Sequence, residues 1–330
     1  MNGKIKTLFN RLYGDNILRI INRTPRILVW HSVDQITDND VEAETINVDA
    51  FELQVDYLRS HFEIISIDEF YLRYKNKTFT NREIVLTFDD GYRNNLYKVV
   101  PILNKYSMPF TVFISTDHIL TGEPFPTSIV RLIILGANID CISIPLLGLY
   151  NIDIKTKSLK KEVCKQVNNE IKVRPLSDVK VIINELINNI SRQEYNRLQN
   201  RYRSVKPMTW DEVKEIHKLG VTVGSHSKSH ICCHKNQNND EIKTQIMESK
   251  TIIENELDAE CRYFAYPNGD YTEFSNNCVR EAGYLMAFTT QGREHSLYDK
   301  DIFSVPRIVT VRDYDTFKII TNLYPLKLRI

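Results

Sequence analysis

Nowhere in this chain do two cysteines stand at the C-x-x-C spacing of a zinc ribbon or a redox dithiol, and six cysteines in 330 residues are too few for a disulfide framework. Cys141, Cys164, Cys232, Cys233, Cys261 and Cys278 read as thiols of a reducing compartment; the adjacent Cys232 and Cys233, with no second pair to join them, read as small buried hydrophobes. Charge of one sign is equally scarce. With 43 Lys and Arg against 42 Asp and Glu, the formal net charge is +1, which gives no reason to expect nucleic acid or another polyanion as partner. Residues 132 to 150, the most apolar stretch, carry Asn138, Asp140 and Pro145 and do not read as a membrane span. The N-terminus has no apolar core followed by a small-residue cleavage site, so it does not read as a secretory signal, and the cytoplasm is the expected location. There is no internal repeat and no low-complexity tract.

What is present is an ordinary globular composition. A hydrophobic content of 42% can bury one large core or two modest ones, and an α/β barrel of this length is routinely one domain. Residues 1–24 set Ile5, Leu8, Phe9, Leu12, Ile17, Ile20 and Ile21 near helical spacing, with Lys4, Lys6, Arg11, Arg19 and Arg23 between them. Such a basic amphipathic helix either packs on its own domain or lies on an anionic membrane surface, which would make the protein peripheral at the inner membrane face. From 25 to 330 strand patterns alternate with helix patterns. The strands read as 26–31, 63–67, 83–88, 110–115, "VTVGS" after Gly220, 262–266, 285–290 and 303–311. Residues 119–207 break this rhythm with helical patterns near 158–170, 177–190 and 193–203, and read as a largely helical insertion. Seven or so βα units point to a parallel sheet, open or closed into a barrel.

In such sheets the chemistry gathers at the carboxyl ends of the strands. Asp89 and Asp90 follow "IVLTF", His226 and His230 follow "VTVGS", "YPNG" (266 to 269) follows "RYFA", and His31 ends "ILVW". Singly, each has an ordinary reading. An Asp pair caps a helix, histidines four apart are polar residues on one loop or helix face, "YPNG" is a turn, and a lone histidine after an apolar strand is structural. Together, one aspartate and two histidines make a three-ligand set that leaves positions open for water and substrate, the pattern of a catalytic divalent metal site.

"TFDDGY" and "HSKSH" resemble the first two signature motifs of the polysaccharide deacetylase family, the NodB-type carbohydrate esterases of family four. "WDEVKEIHKLGVTVGSHSKSH", "FAYPNGDY", "REAGYLMAFTT" and "FSVPRI" extend the likeness, which spans about residues 26 to 115 and 207 to 312. The resemblance implies a distorted (β/α)7-type barrel, a variant of the TIM barrel, and metal-dependent removal of an N-acetyl group from an amino sugar. It makes Asp89 the general base and Asp90, His226 and His230 the ligands of Zn2+, or of another dication such as Co2+, Ni2+ or Mn2+. A dication would also explain why two carboxylates stand side by side, since it neutralises one and leaves the other ionised.

The third motif departs from the family's commonest form, with Ala265 where an arginine orients the base. "FAYPNG" resembles instead the poly-N-acetylglucosamine deacetylase branch, which implies an oxyanion donor at the backbone N–H of Asn268, just past Pro267. Tyr266, Pro267 and Asn268, with Tyr92 lining the cleft, are the substrate and oxyanion candidates. Arg307 of "VPRI" either replaces the missing arginine or is a surface residue at a strand end. His31 resembles the permuted position of the acid that protonates the leaving amine; His118 and His234 are the alternatives, and His295 reads as a loop residue. The expected partner is an N-acetylated polysaccharide or lipid-linked sugar. Two other functions stay open: a deformylase acting on a lipid-linked amino sugar, and a non-catalytic glycan-binding relative, which usually requires a broken ligand set.

Overall fold

The computed structural model describes residues 24–80, 82–292 and 301–323. The basic helix expected over 1–24, apart from Thr24, and His295 lie outside the described residues. Seven strand positions form one parallel ring: β1 (Arg26–Trp30), β2 (Glu83–Phe88), β3 (Thr111–Ile114), β4 (Thr222–Ser225), β5 (Tyr263–Ala265), β6 (Met286–Thr289) and β7, made of Val305–Pro306 and Ile308–Val309. Each strand pairs in parallel with the next, from β1 through to β6. Closure falls to β7. Its first half pairs with β6 (Phe288 with Val305) and its second half with β1 (Leu28 with Ile308), so one segment touches both edges and nearly closes the barrel. The expected single strand over 303–311 is thus broken at Arg307. The Arg307 N–H donates to the Thr289 carbonyl at 2.8 Å, while the Thr310 N–H donates to the Val29 carbonyl on the other side at 3.1 Å.

Strand alternation sorts the apolar residues into two cores. Ile27, Val85, Phe113, Tyr263, Phe288 and Val305, from six different strands, form one cluster that only the barrel interior can bring together; Phe70 of the helix Ile67–Asn76 joins it from one end. Leu28, Leu86, Val112, Val223, Phe264 and Ala287 point the other way, into the layer of helices outside. Both strand faces are therefore buried, as a parallel sheet requires. Gly224 has an interior position, and a Cβ there would lie 2.5 Å from the Phe113 ring. The missing side chain lets that ring fill the barrel beneath the strand ends.

The outer helices follow the sequence pattern closely. Trp210–Lys218 starts with a capping box between Thr209 and Glu212, and Asn239–Leu257 starts at Asn238, whose side chain accepts from two backbone N–H groups. The helix expected from about Asn94 to Tyr106 opens instead with a π turn over Asn95–Val99 before the α-helix Val100–Asn104. Pro101 has no N–H to donate into a regular first turn, which favours this irregularity. Only Glu63–Ile64 of the expected strand 63–67 pairs, alongside β2, because Ser66 already caps the next helix.

The segment 119–207 has a hydrophobic cluster of its own, including Ile133, Ile142, Val167, Ile182, Leu186 and Tyr195. Its helices are Pro126–Ile134, Lys157–Ile171, Leu176–Ile187 and Arg192–Arg201. It also contains an antiparallel hairpin, Cys141–Ile144 with Leu149–Asp153, which the sequence reading did not anticipate. The turn residues Pro145 and Gly148, the latter at φ 68°, are the signal that the apolar run around them conceals.

One buried carboxylate pins the barrel's entry side. Glu83, fully buried at the start of β2, accepts from the Thr80 N–H at 2.6 Å, the Thr80 hydroxyl at 2.9 Å and Arg73 at 2.9 Å. Burial raises the Glu83 carboxyl, but these donors outweigh it and hold the group below its ordinary range. A carboxyl whose folded pKa is depressed stabilises fully above its unfolded value, about 4.3, and loses that contribution as pH falls below it. Glu83→Gln should therefore cost about 1–3 kcal/mol at neutral pH and lessen the loss of stability in acid. Urea melts across pH measure both effects, and an acid limb identical to the parent's would refute the assignment.

Candidate active site

The same alternation that builds the interior core carries polar groups to one mouth. Continuing each strand by two residues, Ile27 and Val29 lead to His31, Val85 and Thr87 to Asp89, Gly224 to His226, and Val305 to Arg307. All four share the inward side at the strand ends, although they come from four distant parts of the chain.

The chain turns sharply after Asp89. Asp90 and Gly91 have φ of 73° and 67°, the left-handed region, and a Cβ on Gly91 would sit 2.7 Å from Ile114 Cγ2. Glycine is required there both for conformation and for space. This turn swings the Asp90 carboxylate across toward the loop after β4, which makes its own left-handed steps at Ser227 (φ 64°) and His230 (φ 54°). The two histidines are therefore on a loop, not a helix. The result is a group of three ligand atoms, from Asp90, His226 and His230, all within 4.8 Å of one another. Asp90 Oδ1 lies 3.6 Å from His226 Nε2 and 3.4 Å from His230 Nε2.

Hydrogen bonding shows what this group suits. His226 Nδ1 meets the Ala265 carbonyl at 2.8 Å, so Nδ1 carries the proton and Nε2 presents a lone pair toward Asp90. Asp90 Oδ1 is buried and has no hydrogen-bond partner. Burial lowers the His226 imidazole to about 4, against the pull of Asp89, and drives His230 well below its ordinary value with help from His226. Burial also pushes the Asp90 carboxyl up to about 7, opposed by His31 and assisted by Glu44 and Asp89. Neutral imidazoles facing an unpartnered carboxylate oxygen leave lone pairs unopposed, which fits a bound cation.

Asp89, one residue away, sits in the opposite state. Burial would raise it, but the Arg307 guanidinium, with His226, holds its carboxyl at about 2. Arg307 donates to both carboxylate oxygens, at 2.7 and 2.6 Å, and to the Thr87 hydroxyl at 3.1 Å. Its side chain is fully buried and its guanidinium lies 5.3 Å from the Phe113 ring centroid. Arg307 is not a surface residue.

Two side chains that the sequence reading did not single out complete the electrostatics. Glu44 lines the mouth and pairs with Arg131 of the helix Pro126–Ile134 (3.0 Å to Oε1, 2.9 Å to Oε2). Withdrawal from water would raise the Glu44 carboxyl, yet Arg131 and His31 bring it to about 2. Nothing in the polar stretch around Glu44 marks it. Arg131 does carry a signal, since an arginine inside the apolar run "SIVRLIIL" must be buried and so must be paired.

A cleft of about 240 Å³ opens over the site. His31, Asp89, Asp90, His226, His230 and Asn268 all line it, as do Pro126, Ile171, Lys172, Leu176 and Val179 from the segment 119–207. Cys232 also lines it and is only partly buried, unlike the fully buried Cys233. Three residues expected at the cleft are set back from it. Tyr266 follows Phe264 by two positions and so has outward parity: it is fully buried against Phe264 and Tyr271, with its hydroxyl unpartnered. Pro267 is buried within the turn Pro267–Gly269. Tyr92 is buried among Val41, Phe125 and Leu132, its hydroxyl 3.4 Å from Glu44, and the helix it was expected to begin starts at Asn95. His118 stacks on Phe125, which in turn meets the edge of His230; its Nδ1 is tied to the Glu123 carbonyl at 2.9 Å. His234 is not among the residues of the cleft.

Comparison with known proteins agrees with this geometry. The family model described as polysaccharide deacetylase matches residues 76–169 and 184–287. Poly-β-1,6-N-acetyl-D-glucosamine N-deacetylases of several Staphylococcus aureus strains are 30% identical over 84 residues, a stretch covering 25% of this chain and 29% of theirs. The chain thus matches less than a third of the length of these relatives. Two solved structures share the fold over nearly their whole length, at 16% identity. The Streptococcus pyogenes deacetylase PplD, in complex with acetate, aligns with a TM-score of 0.58 over 91% of this chain and 98% of its own. IcaB from Ammonifex degensii aligns with a TM-score of 0.59 over 91% and 97%. With well over half of its residues matched by the family model, Asp89, Asp90, His226, His230 and Asn268 among them, the chain belongs to the polysaccharide deacetylase family.

Proposed function

We propose that this protein is a metal-dependent carbohydrate N-deacetylase, hydrolysing the N-acetyl amide of an amino sugar held in a polysaccharide or a lipid-linked glycan. The observation that carries the reading is the contrast between two adjacent buried carboxylates: Asp89 locked by Arg307, and Asp90 with its Oδ1 unpartnered beside His226 and His230. The names of the Staphylococcus aureus relatives support the same substrate chemistry.

Asp90, His226 and His230 would hold the metal, and their one-carboxylate, two-imidazole set suits Zn2+, with Co2+, Ni2+ or Mn2+ as substitutes. When bound, such a dication polarises the amide carbonyl and lowers the pKa of water from 15.7 toward about 7. Asp89 accepts the proton of the attacking water. Arg307 fixes both oxygens of that carboxylate and keeps it ionised despite burial, so the base is always in its accepting form. The backbone N–H of Asn268 faces the developing oxyanion, and Pro267 sets the turn that aims it. As the new C–O bond forms and the C–N bond breaks, His31 gives a proton to the departing amine, and acetate is the second product.

Asp90→Ala and His226→Ala are expected to purify without metal, whereas Asp89→Asn should keep its metal and lose about 10²–10⁴ in kcat. Metal analysis beside an amine-release assay separates the two classes; acetate release by Asp89→Asn at the parent rate would end the base assignment. His31→Ala should slow hydrolysis of amides far more than that of a nitrophenyl acetate, whose leaving group needs no proton. Equal slowing of both would remove His31 from proton transfer. Arg307→Ala strands the Asp89 charge in the interior and should cost about 3–5 kcal/mol in denaturant melts, with Arg307→Lys in between. A loss under about 1 kcal/mol for Arg307→Ala, the worth of an exposed pair, would contradict the buried pairing.

A further inference from the structure

The cleft is not lined like a groove for a neutral sugar polymer. Among its described lining residues there is no Trp, Tyr or Phe, the flat rings whose electron-rich faces attract the C–H bonds of a pyranose. The apolar part of its lining is aliphatic instead and includes Pro126, Ile171, Leu176, Val179 and Ile231. Within it stands Lys172, the only Lys or Arg among the described lining residues. Lys172 is exposed and makes no ion pair among the described residues, while the two nearby arginines are already committed, Arg307 to Asp89 and Arg131 to Glu44.

The position of Lys172 is held from below. It ends the helix Lys157–Ile171, and the turn after it is tied to the loop that follows His230 by three hydrogen bonds: Gln237 Oε1 accepts from Leu176 N–H at 2.9 Å, Gln237 Nε2 donates to the Arg174 carbonyl at 3.2 Å, and Asn236 Nδ2 donates to the Val173 carbonyl at 2.8 Å. The cation and the aliphatic wall therefore belong to one preorganised surface, clamped to the same loop that supplies a ligand of the metal group.

We infer that the amino sugar taken by this cleft carries a phosphate with a hydrocarbon chain, the phosphate meeting Lys172 and the chain lying on the wall of Ile171, Leu176 and Val179. This rests on the deacetylase reading and narrows its substrate to an anionic amphiphile. An unpaired ammonium among the lining residues draws an anion to its own position, and aliphatic side chains gain from covering a chain, not a hydroxylated ring. Isoprenoid and straight-chain lipids share this chemistry.

The test uses deacetylated ligands, which cannot turn over, with zinc-loaded protein in a calorimeter. The ligands are the citronellyl and decyl phosphates of glucosamine, neutral decyl glucosaminide and glucosamine 1-phosphate. Either lipid phosphate should bind about tenfold more tightly than both the neutral and the chainless ligand, with the advantage shrinking as salt rises. Lys172→Glu should abolish the advantage and Lys172→Arg should restore it, which a merely structural role for this exposed residue would not do. Equal affinity for the neutral and phosphorylated decyl ligands, or an unaltered advantage in Lys172→Glu, would overturn the inference. The two readings fail separately. Deacetylation of a neutral oligosaccharide untouched by Lys172→Glu would sink this inference alone; phosphate binding through Lys172 with no acetylated counterpart ever hydrolysed would sink the deacetylase reading.

Discussion

The fork between Arg307 and Asp89 is the contact on which most of this molecule turns. Two charges fully withdrawn from water are tolerable only because the guanidinium donates to both carboxylate oxygens, at 2.6–2.7 Å, in a bidentate pairing. The pair also joins the last strand of the barrel to the second. It makes neighbouring aspartates unlike: one is held at about 2 by an arginine, the other lifted to about 7 by burial, with the backbone between them bent into a left-handed turn. Identical side chains acquire different chemistry from environment alone.

The segment 119–207 is tied into that arrangement at two points. Arg131 reaches from a helix otherwise packed in the segment's own apolar cluster to fix Glu44 at the mouth. The turn at 172–176 is bonded to the loop after His230. A wall attached so close to the ligand group shapes what can approach it, and its aliphatic character is set by helices that exist to bury their own cores.

The core of the site was legible because it obeys a period of two. Asp89 and His226 carry unusual polar residues directly past apolar strands, and the same counting that reads those strands as buried sends both side chains inward. Tyr266 shows the cost of reading a motif without counting: it lies in "YPNG" beside the right turn, yet Phe264 and Tyr266 share the outward face. Glu44 and the hairpin of 141–153 were not legible for a different reason. The first is recognisable only through Arg131, some 87 positions away along the chain, and the second is hidden in an apolar run whose alternation is weak. The break at Arg307 was equally invisible, since "FSVPRIVTV" reads as one good strand and only the need to touch both edges of a ring interrupts it.

That interrupted strand has a consequence for the order in which the molecule can assemble. Leu28 lies beside Ile308 and Val29 beside Val309, so the first strand, paired early with β2, waits for its second partner from far along the chain. Contacts of such sequence separation are slow to form because so long a loop must close first. During synthesis the ribosome must release the chain past Val309 before the ring can seal, and until Arg307 has emerged Asp89 lacks its guanidinium. The nascent chain thus carries an unpaired strand edge on the emerging sheet, the kind of surface that chaperones cover.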